Sequence, residues 1–166
     1  MLEKIEVKSL RENVFSLIGD RWMLVTAGDE EGCNTMTASW GGLGVLWGKN
    51  VATVYVRPQR YTRTFMEQGD YFTLSFFPEE YRPKLAFCGK VSGRDTDKIK
   101  ESGLTVQYGV GSAPYFAQAS LVLVCKKLYT QELAPDRFQS EDIAAFYPEK
   151  DYHQIYIGDI VEAYQA

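Results

Sequence analysis

The chain has a single histidine, His153, and only three cysteines, Cys33, Cys88 and Cys125, which lie far apart with no Cys-x-x-Cys pair. A zinc site built from thiolates and imidazoles is therefore excluded. An odd number of scattered thiols is no disulfide framework and points to a reducing compartment. No apolar run approaches the roughly 20 residues that cross a bilayer. The first residues, Met1 to Lys8, alternate in charge and lack the apolar core of a secretory leader. Basic residues are not in excess either. The net charge of −4 argues against a phosphate-backbone partner such as nucleic acid. No Gly-x-Gly-x-x-Gly follows a strand and no Walker loop is present, which removes a Rossmann nucleotide site from the chain. The expectation is a cytoplasmic protein with no membrane and no nucleic-acid partner.

What is present is aromatic and strand-forming. The 11 Tyr and 9 Phe suit pleated sheets and ring-binding pockets better than a helical bundle. Arg21 to Ala27 reads as a mostly apolar strand, Asp29-Glu30-Glu31-Gly32 as a hairpin turn, and Asn34 to Trp40 as the partner strand. The two-residue period puts Thr35, Thr37 and Ser39 on one face and Met36, Ala38 and Trp40 on the other. Gly41-Gly42-Leu43-Gly44 reads as a break in regular structure. Val51 to Val56 is a strand ended by Pro58. Tyr61 to Gln68 predicts a short helix closed by Gly69, with Thr62 near its cap. Tyr71 to Phe77 predicts a buried strand, and a helix runs from Pro78 to Gly89. Asp95 to Ser102 predicts a helix ended by Gly103. Leu121 to Cys125 is apolar throughout, as in a central strand, and His153 to Tyr164 is a last strand with a bulge at Gly158. Short helices among many strands, without a βαβ rhythm, predict one mainly β domain over 1–166, a β-barrel with peripheral helices.

Two segments carry binding chemistry. Asn34 to Trp40 offers hydroxyls and an indole, and the glycines after it bring peptide groups within reach of a ligand edge. Arg57-Pro58-Gln59-Arg60-Tyr61-Thr62 offers two guanidinium forks, which match phosphate oxygens, ahead of a helix start with unpaired N–H groups. A solvated sheet face and a solvated surface turn account for the same residues. Ser92-Gly93-Arg94 precedes Asp95 and Asp97, whose carboxylates complement a helix dipole, whereas Arg94 opposes it unless an anion sits there. Read together, these segments fit a planar heteroaromatic with an anionic tail. His153 is either a structural residue or a polar contact. Cys88 and Cys125 read as core residues and Cys33 as a turn residue, none with a neighbouring base.

In this order, Asn34 to Trp40, Arg57 to Thr62, Phe72 to Phe76, Ser92 to Lys98 and His153 to Val161 resemble the flavin reductase-like FMN-binding split barrels, flavoredoxin-like members included. The likeness spans roughly residues 15–164. It implies a split β-barrel homodimer with FMN near the interface, and hydride transfer from NADH or NADPH to the flavin and onward to a small-molecule or protein acceptor. It also implies that Thr37, Ala38, Ser39 and Trp40 line the isoalloxazine. Arg57, Arg60, Tyr61 and Thr62 would hold the phosphate, with Ser92, Arg94 and Lys98 closing that region and His153 on the nicotinamide side. An FMN electron carrier without a nicotinamide site, and a non-redox barrel binding another anionic ring such as haem, stand as alternatives.

Overall fold

The computed structural model describes residues 1–166. Its strands are β1 (Glu3–Ile5), β2 (Met23–Asp29), β3 (Gly32–Ala38), β4 (Gly41–Leu46), β5 (Lys49–Val56), β6 (Tyr71–Phe76), β7 (Val106–Tyr108), β8 (Pro114–Phe116), β9 (Leu121–Glu132) and β10 (Gln154–Gln165). The helices are α1 (Thr62–Gln68), α2 (Arg82–Lys90) and α3 (Lys98–Ser102). None is long and apolar enough to cross a membrane.

The main sheet is antiparallel, in the order β3-β2-β6-β9-β10-β5-β4, with β1 added along β10. It curls around one core. Val25, Met36, Val54, Phe72, Leu123 and Tyr156, drawn from six different strands, pack in a single buried cluster. The two ends of the sheet are β3 and β4, which are not paired with each other although only Ser39 and Trp40 separate them in sequence. The barrel is open along that line. A second cluster on the outer face, including Leu24, Leu85, Phe116 and Val122, seats α2 and the small β7–β8 ribbon.

The Asp29 to Gly32 turn closes the β2–β3 hairpin as expected. The bulge at Gly158 is also present: the pairing of β10 with β9 slips between Ile157 and Gly158. A Cβ at Gly158 would lie 2.8 Å from Cys125 Cβ and from the Phe72 ring, so only glycine lets the strand bend there.

Several local readings are corrected. Gly41 to Gly44 is no break; it opens β4, which pairs with β5 from Gly41↔Val54 to Leu46↔Lys49. An edge strand needs one hydrogen-bonded side only, and a Cβ at Gly41 would come within 2.8 Å of the Thr53 carbonyl. Trp47 and Gly48, at φ 52° and 70°, form the two-residue turn that returns the chain. α3 starts at Lys98, not Asp95, because the Asp97 side chain accepts the Lys100 N–H and caps it. Thr62 does not cap α1, since its hydroxyl accepts from Asn34 Nδ2 at 2.8 Å. Cys33 lies within β3, half-buried, rather than in the turn.

Candidate functional site

The open line of the barrel is where the polar segments meet. The end of β3 and the start of β4 hold Ser39 and Trp40 at the rim. Tyr55 of β5 and Arg57, the residue just past its end, face the same side two residues apart, while Val54 and Val56 enter the core. A cavity of about 400 Å³ is lined by Thr37, Ala38, Ser39 and Trp40 on one side and Arg57, Gln59 and Arg60 on the other, with Met36, Tyr55, Gly89 and His153 between them. The two guanidiniums therefore share one cleft with the indole. A smaller pocket of about 200 Å³ shares Met36, Gln59 and Arg60 and adds Tyr61, Thr62, Ser92 and Lys98.

The cations differ in how they are held. Arg57 Nη1 donates to Asp151 Oδ2 at 2.9 Å and Nη2 to the Phe146 carbonyl at 3.0 Å, with the guanidinium over the Tyr147 ring. Arg60 has no carboxylate. Its contacts are long, 3.4 Å to the Gly89 carbonyl and 3.5 Å to that of Thr37. Burial, and then the Arg57 charge, pull it below the ordinary guanidinium value. Lys98 is 2% exposed and donates to the Cys88 and Val91 carbonyls at 2.9 and 3.2 Å, again with no carboxylate. Burial, then the Arg60 charge, push it down to about 8. Two buried or half-buried cations side by side without a counter-anion are costly, and an anion entering here removes that cost.

The surrounding frame is built by neighbours. Asn34, buried in β3, fixes Thr62. A Cβ at Gly93 would collide with Asn34 Oδ1 and come within 3.0 Å of Tyr61 Cδ2, so glycine is what lets this loop close on the pocket. The unpaired N–H groups expected at the start of α1 are partly used: the Arg63 and Thr64 amides donate to the carbonyls of Arg60 and Tyr61. Arg94 lies outside both pockets. It donates to the Gln59 carbonyl at 2.8 Å and sits 5.0 Å from the Tyr61 ring centroid, which accounts for its place ahead of the helix.

At the other end, Trp40 meets Phe146 edge-on at 5.5 Å and His153 at 5.3 Å between centroids. His153 is buried, and the Tyr147 hydroxyl lies 2.6 Å from its Nδ1. Burial first, then the Arg57 charge, push His153 down to about 4, so its ring is neutral at physiological pH. Tyr55, Gly89, Tyr147 and Asp151 were not singled out from sequence. The two-residue period back from Arg57 could have found Tyr55. The others depend on which distant segments the fold brings together.

Residues 15–166 match the family described as the flavin reductase like domain. The chain belongs to that family. No curated protein matches it in sequence. Among solved structures it is similar to an FMN-binding domain of a flavin reductase-like enzyme from Shewanella baltica, with TM-score 0.72 at 19% identity over 99% of this chain and 77% of that one. A flavoredoxin from Methanosarcina acetivorans superposes with TM-score 0.71 at 25% identity, over 99% of this chain and 76% of that one. An NADH:FAD oxidoreductase from Streptomyces globisporus, in complex with NAD and FAD fragments, gives 0.66 at 18%, over 87% and 74%. The fold of this flavin reductase-like chain is the expected split β-barrel, mainly antiparallel strands with few helices.

Proposed function

We propose that this flavin reductase-like protein binds FMN in the 400 Å³ cavity and its neighbouring pocket and works as an oxidoreductase with NADH or NADPH as electron donor. The observation that carries the reading is the Arg60–Lys98 pair, two cations with no carboxylate beside a cleft walled by Trp40. The residues fit an aromatic ring system with a phosphate tail. When bound, FMN supplies the two-electron chemistry, and the protein supplies position and field.

In this reading Arg60 and Lys98 face the phosphate, with Ser92 and Tyr61 closing around it. Thr62 acts through Asn34, and Arg94 braces Tyr61 and Gln59 from outside. Arg57 sets the edge of the cleft while held by Asp151. Thr37, Ala38, Ser39 and Trp40 flank the ring and orient it, and His153 stands at the side from which a nicotinamide approaches. A homodimer is the proposed assembly, burying the exposed Val45 and Trp47 at the free β4 edge. The proposed location is the cytoplasm, in keeping with three free thiols. The likeness to a flavoredoxin favours one second reading, an electron carrier that receives electrons from another protein.

The purified protein titrated with FMN, then anaerobically with NADH and with NADPH, tests both. Bound flavin bleached by a nicotinamide supports the oxidoreductase. Bound flavin untouched by either nicotinamide leaves the carrier. Failure to bind FMN overturns both.

A further inference from the structure

Trp40 forms one wall of the cleft and is 44% exposed. Behind it the rings run on in an unbroken series. The His153 ring lies 5.3 Å from Trp40 and the Tyr147 ring 5.5 Å from His153, centroid to centroid. Tyr152, half-buried, follows at 5.1 Å from Tyr147. Indoles and phenols can each give up a single electron at moderate cost. The phenyl ring of Phe146, also against Trp40 at 5.5 Å, cannot.

One contact sets Tyr147 apart. Its hydroxyl lies 2.6 Å from His153 Nδ1, and both residues are buried. A buried phenol donates, and Nδ1 is the acceptor within reach. Burial, first, raises the Tyr147 phenol, so the proton rests on the tyrosine. Burial, then the Arg57 charge, push His153 down to about 4, so its ring is neutral and can take a proton. A phenol that loses an electron becomes a strong acid, and even this weakened imidazole is a far stronger base. Asp151, 2.9 Å from Arg57, offsets the cation that an imidazolium would face. Tyr55 also comes within 6.3 Å of the His153 ring, but edge-on and without that hydrogen bond.

We propose that Trp40, His153 and Tyr147 form a redox relay that drains one-electron oxidising equivalents out of the cleft. An oxygen-derived radical takes one electron from the Trp40 indole. Tyr147 returns that electron to Trp40, its O–H bond breaks, and the proton forms an N–H bond at His153 Nδ1. The products are a tyrosyl radical and an imidazolium. A soluble thiol or enediol, oxidised by one electron, restores Tyr147, which recovers its proton from His153. The relay stands on the ring geometry alone. Its use as protection rests on the flavin reading above, because reduced flavins react with oxygen.

Pulse radiolysis of the FMN-free full chain with azidyl radicals, which oxidise indoles, tests the relay. A Trp47→Phe background removes a competing route, since Trp47 lies 6.2 Å from Tyr129. The tryptophanyl signal is expected to convert into a tyrosyl one within the molecule, and more slowly in D2O. His153→Phe, which keeps a ring but loses the base, and Tyr147→Phe are each expected to slow that conversion at least about tenfold. A tryptophanyl radical that persists in the background protein overturns the relay. So does conversion indifferent to Tyr147→Phe or to D2O; the D2O comparison needs no change at 147 or 153 and holds if either variant fails to fold. With FMN bound and reduced in air, Tyr147→Phe is expected to gather oxygen on Trp40 faster than the parent, read by peptide mass spectrometry. Equal rates overturn the protective role. Failure to bind FMN overturns the flavin reading and with it that role, while the radiolysis result still decides the relay.

Discussion

Arg57 Nη1 donates to Asp151 Oδ2 at 2.9 Å, tying the end of β5 to the chain just ahead of β10 across 94 residues of sequence. Gln59 Nε2 donates to the same oxygen at 2.7 Å. The Gln59 hydrogen bond, with the Arg57 charge, holds the Asp151 carboxyl below the ordinary carboxylate range. A carboxyl depressed in the folded state contributes stability above its unfolded value, about 4, and loses it as pH falls through the folded one. Limited proteolysis of 134–152 is expected to be slow at neutral pH and to accelerate only below about pH 4. Asp151→Asn is expected to show the acid behaviour at pH 7.

Arg60→Ala is expected to weaken FMN by about 1.5–3 kcal/mol, the scale of a charge-assisted hydrogen bond. Riboflavin, which lacks the phosphate, is expected to be nearly indifferent. Paired titrations of the two flavins check this; equal losses would place Arg60 away from the phosphate.

Lys98, pushed down to about 8, gives the pocket a pH dependence on the alkaline side. A bound phosphate favours the charged amine, so FMN affinity is expected to fall as pH rises through about 8 and to flatten in Lys98→Met. Without ligand the sign reverses. Between about 8 and the unfolded value of about 10.4 the unfolded chain holds more protons, so Lys98 adds stability as pH rises. Dissociation constants and melting temperatures at pH 7 and 9.5 separate the two.

His153 is pushed down to about 4, below its unfolded value of about 6.5. The unfolded state therefore binds the extra proton first, and the fold loses stability as pH drops from about 6.5 toward 4. His153→Phe is expected to have a flatter melting temperature between pH 7 and 5 than the parent protein.

Gly93→Ala is expected to cost about 1–3 kcal/mol, the range for overpacking, because the new methyl collides with Asn34 Oδ1. Denaturant unfolding reads the loss. FMN affinity is expected to fall with it, since the loop that carries Ser92 must move.

Much of this architecture is legible in the sequence where a local rule acts alone. The β2–β3 hairpin follows from alternation around an acidic turn, and the Gly158 bulge from a glycine set in an isoleucine-rich strand. β4 was missed because an edge strand of glycines shows no side-chain period. α3 is shorter than expected because Asp95 and Asp97 complement a helix dipole equally in sequence, and the Lys100 amide selects Asp97 as the cap. At the site, most residues lining the two pockets come from segments that the sequence singles out, whereas Tyr55, Gly89, Lys90 and Val91 are brought in by the fold. The division of labour among them does not follow from composition. Arg57 and Arg60 look alike in sequence, and the distant Asp151 makes one of them an anchor and leaves the other without a carboxylate.

Residues 133–153 leave from β9 and return into β10, two strands already paired over most of their length. The ladder is thus sealed whatever spans the gap, and the entropy of closing that gap grows only with the logarithm of its length. This excursion supplies Leu133, Tyr147 and His153 to the wall of a cavity of about 760 Å³ beside the cleft. It is a modular excursion: longer or shorter versions could be grafted between the same two strand ends to reshape that cavity, with the β9–β10 ladder kept.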